Sequence, residues 1–126
     1  MTSTKVLVVD DNEMNTAMAK MVLQAGHFEV ETASNALEAL RRVASFQPEL
    51  ILMDIQMPGM NGLELTRLLK ADLQTRHICV VAFTAFAMRG DEAKLRAAGC
   101  DGYLSKPINV KTFAAQVRAC LPAASA

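Results

Sequence analysis

The sequence predicts an α/β protein of the (βα)5 class: a doubly wound, five-stranded parallel sheet in the strand order 2-1-3-4-5 with helices on both faces. Five short apolar segments alternate with segments of helical periodicity along the 126 residues. Three of the apolar segments are continuous and partly β-branched, which is typical of strands buried on both faces of a parallel sheet. Short connections between the elements favour right-handed crossovers.

The first half of the chain supplies three strands and two helices. Residues 6–9 form the first apolar run, residues 28–33 alternate polar and apolar side chains as an edge strand does, and residues 50–53 form a continuous third run. The first helix is predicted to pack on the sheet through one face and to end at Gly26; that face holds Met14, Ala17, Met18, Met21 and Ala25. The second helix is predicted to pack through Leu37, Leu40 and Ala44 and to end before Pro48.

The second half supplies the remaining elements. Leu65, Leu68 and Leu69 mark the third helix, residues 78–83 the fourth strand, and Leu95 and Ala98 a weakly marked fourth helix that closes at Gly99. Residues 102–104 form a short fifth strand. The fifth helix, which Pro122 ends, is marked by Val110, Phe113, Ala114, Val117 and Leu121. We therefore expect one domain over residues 1–121 and a short tail over residues 122–126, without an output domain.

Composition excludes several classes of function. Lys+Arg and Asp+Glu both number 13, and this balance argues against a nucleic-acid partner and against a polybasic membrane anchor. The sequence shows no apolar stretch of about 20 residues and no signal peptide, so we expect no membrane association. The cysteines, Cys79, Cys100 and Cys120, lack metal-site or redox spacing and are predicted to be buried thiols of a cytoplasmic protein.

Chemically distinctive residues follow four of the predicted strands. Asp10 and Asp11 follow the first strand, Asp54 the third, Thr84 the fourth and Lys106 the fifth. Because the carboxyl ends of parallel strands meet at one edge of a sheet, we expect these five side chains to converge. Helix capping explains only one residue of the Asp10-Asp11-Asn12 run, and Asp54 precedes a turn rather than a helix.

Three converging carboxylates repel one another and require a cation. Oxygen ligands of this kind suit Mg²⁺, whereas His27, His77 and the cysteines lie away from the strand ends and make zinc a poor fit. The ammonium of Lys106 and the hydroxyl of Thr84 complete a set of groups suited to hold a phosphoryl group. The ionised carboxylate of Asp54 needs no general base to attack phosphorus, so the sequence predicts an aspartyl phosphate.

Four motifs carry a family resemblance: Asp10-Asp11, the segment of residues 54–62, the pair Thr84-Ala85, and residues 103–107. With these motifs the chain from residue 5 to 121 resembles the receiver domain of two-component response regulators, which has the CheY-like (flavodoxin-like) fold. Residues 84–92 and 105–108 resemble DivK-type single-domain regulators of bacterial cell-cycle and polarity signalling. Receivers of hybrid histidine kinases share these features, so a receiver module of such a kinase is an alternative.

The resemblance implies roles at the acidic end of the site. Asp54 would be the phospho-acceptor. Mg²⁺, for which Mn²⁺ is a possible substitute, would be ligated by Asp11, Asp54 and the backbone carbonyl of Gln56, with Asp10 acting mainly through water.

It also implies the switch residues. Lys106 would pair with the phosphoryl group and precede a cis peptide bond to Pro107. Thr84 would bond a phosphoryl oxygen, and Tyr103 would then change between exposed and buried rotamers. Gln56 and Phe86 would tune the lifetime of the phosphate. A covering role for Tyr103 and an ordinary packing role for Phe86 are the alternatives.

The resemblance implies partners as well. The phosphodonor would be a histidine kinase or a histidine phosphotransfer protein, and the downstream protein would dock on the fourth helix, fifth strand and fifth helix. The protein would be a monomer or a phosphorylation-dependent dimer, recruited to the cell poles by its partners. It would catalyse only its own phosphorylation and dephosphorylation, and so would not be an enzyme.

Three rival functions are disfavoured by particular residues. A flavodoxin-like electron carrier needs a Ser-, Thr- or Gly-rich phosphate loop after the first strand, where this chain has Asp10-Asp11-Asn12-Glu13. An aspartate-nucleophile phosphohydrolase needs a second aspartate two residues after Asp54, where this chain has Gln56. A scaffold without phosphorylation would not need the complete set of five residues.

Overall fold

The computed structural model describes residues 4–55, 62–84, 91–105 and 108–121. Five parallel strands form one sheet in the order β2-β1-β3-β4-β5, which confirms the predicted fold class and topology. The strands are β1 (Lys5–Val9), β2 (Glu29–Ala33), β3 (Leu50–Asp54), β4 (Cys79–Thr84) and β5 (Gly102–Ser105). The helices between and after them are α1 (Glu13–Ala25), α2 (Ala36–Phe46), α3 (Gly62–Ala71), α4 (Asp91–Ala98) and α5 (Phe113–Cys120).

Both faces of the sheet are covered, and alternate side chains of each central strand enter different cores. Leu7 and Val9 of β1 belong to the core beneath α2, α3 and α4. Val6 and Val8 of the same strand belong to the core beneath α1 and α5. All five residues of β3 are buried, as expected for a central strand of a parallel sheet.

The predicted core face of α1 is wrong. Ala19 and Leu23 are the buried residues of this helix. The side chains expected in the core are exposed: Met14, Ala17, Met18, Met21 and Ala25. The observed inner face is offset from the predicted one by one residue, a rotation of about 100°. Both faces of α1 are apolar, so periodicity alone did not distinguish them.

The predicted face of α2 is also wrong by one residue, but in the opposite direction. Ala39, Val43 and Phe46 are buried, whereas Leu37, Leu40 and Ala44 are exposed. The sequence offers a second apolar series one residue away from the predicted series, and only docking on the sheet selects between them.

The later helices follow the predictions more closely. Leu65 and Leu69 of α3 are buried, as are Leu95 and Ala98 of α4, but Leu68 is 48% exposed. Phe113 and Val117 anchor α5. Val110 precedes that helix and is 60% exposed, so its predicted place in the core is wrong.

The end of α1 is fastened to α5. Gly26 is the C-cap of α1 with φ −88°, and the left-handed conformation falls on His27 with φ 71°. A Cβ on Gly26 would lie 2.8 Å from the Cβ of Ala114, so glycine permits the close approach of α5. The guanidinium of Arg118 donates to the Gly26 carbonyl at 2.7 Å and lies 4.8 Å from the ring centroid of Phe28.

The cysteines are free thiols; Cys79 and Cys100 are buried and Cys120 is half-buried, close to the prediction. Burial, reinforced by the nearby Asp101 carboxylate, raises the pKa of Cys79 from 9.0 to about 11. Burial also raises the pKa of Cys100 and of Cys120. Within the described ranges, no helix has the length and apolar character to cross a membrane.

Candidate functional site

Three aspartates meet at the carboxyl-terminal edge of the sheet. Asp10 directly follows β1, and Asp54 is the last residue of the adjacent strand β3. The register of these strands pairs Val9 with Met53, which places Asp10 and Asp54 side by side. One carboxylate oxygen from each of Asp10, Asp11 and Asp54 lies within 4.8 Å of the other two. The structure thus confirms the predicted convergence of the acids.

Asp10 is held in place by its own segment of chain. Its backbone N–H donates to the Ala33 carbonyl at 3.0 Å and so extends the β1–β2 pairing. Its carboxylate accepts hydrogen bonds from the Asn12 backbone N–H at 2.9 Å and from the Asn15 side-chain amide at 3.3 Å. These donors fix the orientation of a carboxylate that is only 2% exposed.

Asn12 is the residue that caps α1. Its side-chain oxygen accepts from the N–H groups of Met14 and Asn15 at 2.9 and 3.2 Å. Asp10 and Asp11 therefore do not serve as the helix cap, which leaves both carboxylates for the site. Sequence reasoning did not anticipate the contact of Asn15 with Asp10, because an amide five residues further along a helix carries no pattern that indicates it.

The acids differ in their access to solvent. Asp10 and Asp54 are buried, at 2% and 5% exposure, and Asp11 is exposed. Bringing two buried carboxylates and an exposed one this close is unfavourable unless a cation or hydrogen-bond donors offset the charge. A set of carboxylate oxygens without imidazole or thiolate suits a hard divalent cation such as Mg²⁺. The donor set present therefore fits the predicted metal.

The start of α3 lies directly against the end of β3. The Gly62 N–H donates to the Ile55 carbonyl at 3.1 Å. A Cβ on Gly62 would collide with the Asp54 carbonyl oxygen and would lie 2.9 Å from both the Ile55 Cα and the Met53 Cγ. Glycine at this position therefore permits the close approach of α3 to the backbone of Asp54. Gly62 belongs to the motif of residues 54–62, but the sequence does not show why glycine is needed there.

The other predicted site residues have different outcomes. Thr84 ends β4 and pairs with Ser105 of β5, which places its backbone at the same edge of the sheet as Asp54. Tyr103 lies on β5 opposite Ala82 and is 38% exposed. The side chain of Thr84 lies outside the described part of the structure, as do Gln56, Phe86, Lys106 and Pro107. Their predicted roles stay predictions.

Known proteins resemble this chain along nearly its whole length. The family model of the response regulator receiver domain matches residues 6–118. The polar-differentiation response regulator DivK of Brucella anthropi is 46% identical over 116 residues, which cover 92% of this chain and 94% of that protein. The protein of the same name from Brucella ovis is 45% identical over the same shares of the two chains.

Solved structures share the fold. The chemotaxis response regulator CheY4 of Vibrio cholerae matches with a TM-score of 0.89 and 30% identity, covering 95% of this chain and 100% of that one. The receiver domain of a signal transduction histidine kinase from Syntrophus aciditrophicus matches with a TM-score of 0.83 and 28% identity, covering 94% of this chain and 90% of that one.

Proposed function

Because this chain belongs to the response regulator receiver family, we propose that it accepts a phosphoryl group on Asp54 in a two-component phosphorelay. The observation that carries this proposal is the cluster of Asp10, Asp11 and Asp54, with carboxylate oxygens within 4.8 Å of one another. Asp54 lies at the end of the central strand β3, buried but next to the exposed Asp11. The receiver would comprise residues 1–121.

Asp54 acts as the nucleophile in this proposal. A carboxylate oxygen bonds to phosphorus while the bond between phosphorus and the imidazole nitrogen of a donor phosphohistidine breaks, and the electron pair of that bond stays on the imidazole. Because a carboxylate nucleophile carries no proton that must be removed, no general base is needed.

Asp10, Asp11 and Asp54, with the backbone carbonyl of Gln56, would hold Mg²⁺, or Mn²⁺ in its place. The bound cation would neutralise the carboxylates and the negative charge of the phosphoryl oxygens. The hydrogen bonds from Asn12 and Asn15 keep the Asp10 carboxylate oriented toward the cluster. This preorganisation supports a role of Asp10 in positioning the other groups, mainly through water.

The switch would depend on residues after β4 and β5. Lys106, which would precede a cis bond to Pro107, would pair with the phosphoryl group, and Thr84 would donate a hydrogen bond to it. Such contacts exist only in the phosphorylated state, so they stabilise one of two arrangements of the chain. Tyr103, partly exposed on β5, would follow Thr84 inward. Gln56 and Phe86 would set the access of water to the phosphate.

Protein partners would supply and read the phosphoryl group. The donor would be a histidine kinase or a histidine phosphotransfer protein. The exposed methionines of α1, Met14, Met18 and Met21, support docking of the donor on this helix. Met14 lies in the first turn of α1, close in the chain to Asp11. The downstream partner would dock on α4, β5 and α5. The DivK relatives are named polar-differentiation response regulators. By that likeness we propose that this protein is cytoplasmic and that its partners recruit it to the cell poles. Nucleic acid and membrane have no part in this proposal, and the protein would act as a monomer or a phosphorylation-dependent dimer.

Acetyl phosphate with Mg²⁺ tests the proposal by intact-mass measurement. We expect the wild type to gain one phosphoryl group, and Asp54→Asn to gain none, because the amide is not nucleophilic toward phosphorus. Asp72→Asn is the matched control, since Asp72 is an exposed aspartate that follows α3 at the other edge of the sheet. It should be phosphorylated as the wild type is.

Two results would contradict this function. An unchanged mass gain in Asp54→Asn would place the modification elsewhere. Repeated turnover of an added phosphate ester would instead favour the phosphohydrolase, a reaction for which Gln56 offers no acid or base.

A further inference from the structure

An apolar groove lies between the C-terminal halves of α2 and α3. It has a volume of about 930 Å³, and we call it the α2–α3 groove. Leucines that were predicted to be in the core are exposed beside it: Leu40 at 37% and Leu68 at 48%. Its apolar lining is formed by Leu40, Val43, Ala44, Pro48, Leu68, Leu69 and Ile78.

The α2–α3 groove is separate from the acidic cluster. Pro48 and Ile78 precede β3 and β4, so the groove lies at the amino-terminal edge of the sheet. Asp54 lies at the other end of β3, five residues and about 16 Å of extended chain away. An occupant of the groove therefore has no need to contact the residues that would carry the phosphoryl group.

The charged side chains that line the groove are acidic. Glu49 and Asp72 line it together with the imidazole of His77, and no lysine or arginine does. Both carboxylates are exposed, and within the described ranges neither takes part in an ion pair.

Two lysines lie near the groove but are already engaged. The Lys5 ammonium donates to the Phe46 carbonyl at 3.3 Å. The Lys70 ammonium donates to the Ile78 carbonyl at 2.7 Å and to the Asp101 carboxylate at 2.8 Å. Cationic groups on an incoming molecule would therefore meet Glu49 and Asp72 without a competing protein cation in the lining.

The apolar lining and the charge together select the occupant. The groove is lined by the last turns of α2 and α3 and by the segments that follow them, within residues 40–49 and 68–78. A second copy of this chain related by a two-fold axis would bring the acidic side chains of both grooves together, which is unfavourable. We propose that the α2–α3 groove binds an amphipathic helix of a different protein, with an apolar face flanked by lysine or arginine side chains.

Two synthetic helical peptides test the proposal on the full chain. Both have leucines at positions i, i+3, i+4 and i+7, and they differ in carrying either lysine or glutamate at the flanking positions. Binding is followed by fluorescence anisotropy and by amide chemical shifts, with Mg²⁺ present so that the acidic cluster is not open to lysine side chains. We expect the lysine peptide to bind at least tenfold more tightly than the glutamate peptide, and to shift amides within residues 40–49 and 68–78.

Variants locate the binding. Leu68→Ser should weaken the lysine peptide about tenfold, whereas Leu73→Ser should not, because Leu73 is 73% exposed and does not line the groove. Glu49→Gln combined with Asp72→Asn should weaken it about tenfold at low salt and far less at high salt. Equal affinity for the two peptides, absence of binding, shifts confined to α1 or to the acidic cluster, or equal effects of the two leucine variants would each overturn the proposal.

Discussion

The two edges of the sheet use carboxylates in opposite ways. At the carboxyl-terminal edge, Asp10, Asp11 and Asp54 lie within 4.8 Å of one another. At the amino-terminal edge, Asp101 accepts from the Lys70 ammonium and from the Val80 backbone N–H, both at 2.8 Å. Three like charges this close together favour a bound cation, whereas the pairing of Asp101 with the Lys70 ammonium stabilises the fold. The first edge is thus suited to chemistry and the second to stability.

The Lys70 side chain explains how the amino-terminal edge is closed. Besides Asp101, its ammonium donates to the carbonyls of Arg76 and Ile78, which belong to the connection between α3 and β4. Asp101 directly precedes β5 and binds the second residue of β4. This single lysine therefore joins α3, β4 and β5.

The largest effect is expected from Gly62→Ala, which tests how tightly the carboxyl-terminal edge is packed. The new Cβ meets the backbone of Asp54 and Ile55, and no side-chain rotation relieves that contact. We expect a loss of about 3 kcal/mol in the free energy of unfolding, measured with denaturant. Gly102→Ala is the control, because a Cβ at Gly102 would lie 3.8 Å from the Cys120 Sγ, an ordinary contact distance, and its effect should stay within about 0.5 kcal/mol. Equal losses would contradict the close approach of α3.

Lys70→Met should break the amino-terminal edge by removing the cation from Asp101 and a donor from two carbonyls. We expect a loss of about 2 kcal/mol, moderated because the Lys70 and Asp101 side chains are 20% and 45% exposed. Thermal or denaturant unfolding measures it. Lys20→Met, on the exposed surface of α1, should change stability by less than about 0.5 kcal/mol. If Lys70→Met loses no more stability than Lys20→Met, the Lys70 contacts make no net contribution to the free energy of unfolding.

Unlike the two preceding variants, Asp54→Asn should raise the free energy of unfolding when divalent cations are absent. Removing one of three clustered carboxylates relieves repulsion, so we expect a gain of about 1 kcal/mol in the unfolding free energy in a chelating buffer. Mg²⁺ at ten times its dissociation constant should stabilise the wild type by about 1.4 kcal/mol and the variant by less. Asp101→Asn, at the other edge, should be destabilising in both buffers. A loss of stability in chelated Asp54→Asn would mean that repulsion does not govern the cluster.

The smallest effect concerns Cys79, the first residue of β4 at the amino-terminal edge. Its folded pKa of about 11 lies above its ordinary value of 9.0, so the folded state favours the neutral thiol. The neutral thiol therefore contributes its full share to the free energy of unfolding below pH 9. This contribution is lost as the pH rises from 9 toward 11. By pH 9.5 the loss should be under about 1 kcal/mol. Cys79→Ala should show a flatter decline than the wild type across this range, and identical slopes would contradict the raised pKa.

Much of the fold followed from local sequence patterns. The continuous apolar runs of residues 6–9 and 50–53, which are partly β-branched, and the polar alternation around Val30 placed the central and edge strands correctly. Periodicity located the helices but gave the wrong inner face for α1 and α2. Ala19 with Leu23, and Val43 with Phe46, are buried because they meet the sheet, a condition that the helix sequence alone does not express.

The acidic cluster was predictable for a topological reason. Once the strand order is known, residues that follow β1 and β3 must be neighbours, so Asp10, Asp11 and Asp54 converge whatever the details of the loops. The partners that hold them were not predictable in this way. The hydrogen bond from Asn15 to Asp10 depends on the direction in which α1 leaves Asn12. The need for glycine at position 62 depends on how closely α3 approaches β3.

The sequence by itself determined the alternation of strands and helices, the identity of the three acids and the family, because these depend on residue type and order along the chain. Only the tertiary structure decided which helix faces are buried, which lysine neutralises Asp101, and where an apolar groove stays open. These features depend on contacts between residues far apart in sequence, whose geometry is set when the helices dock on the sheet.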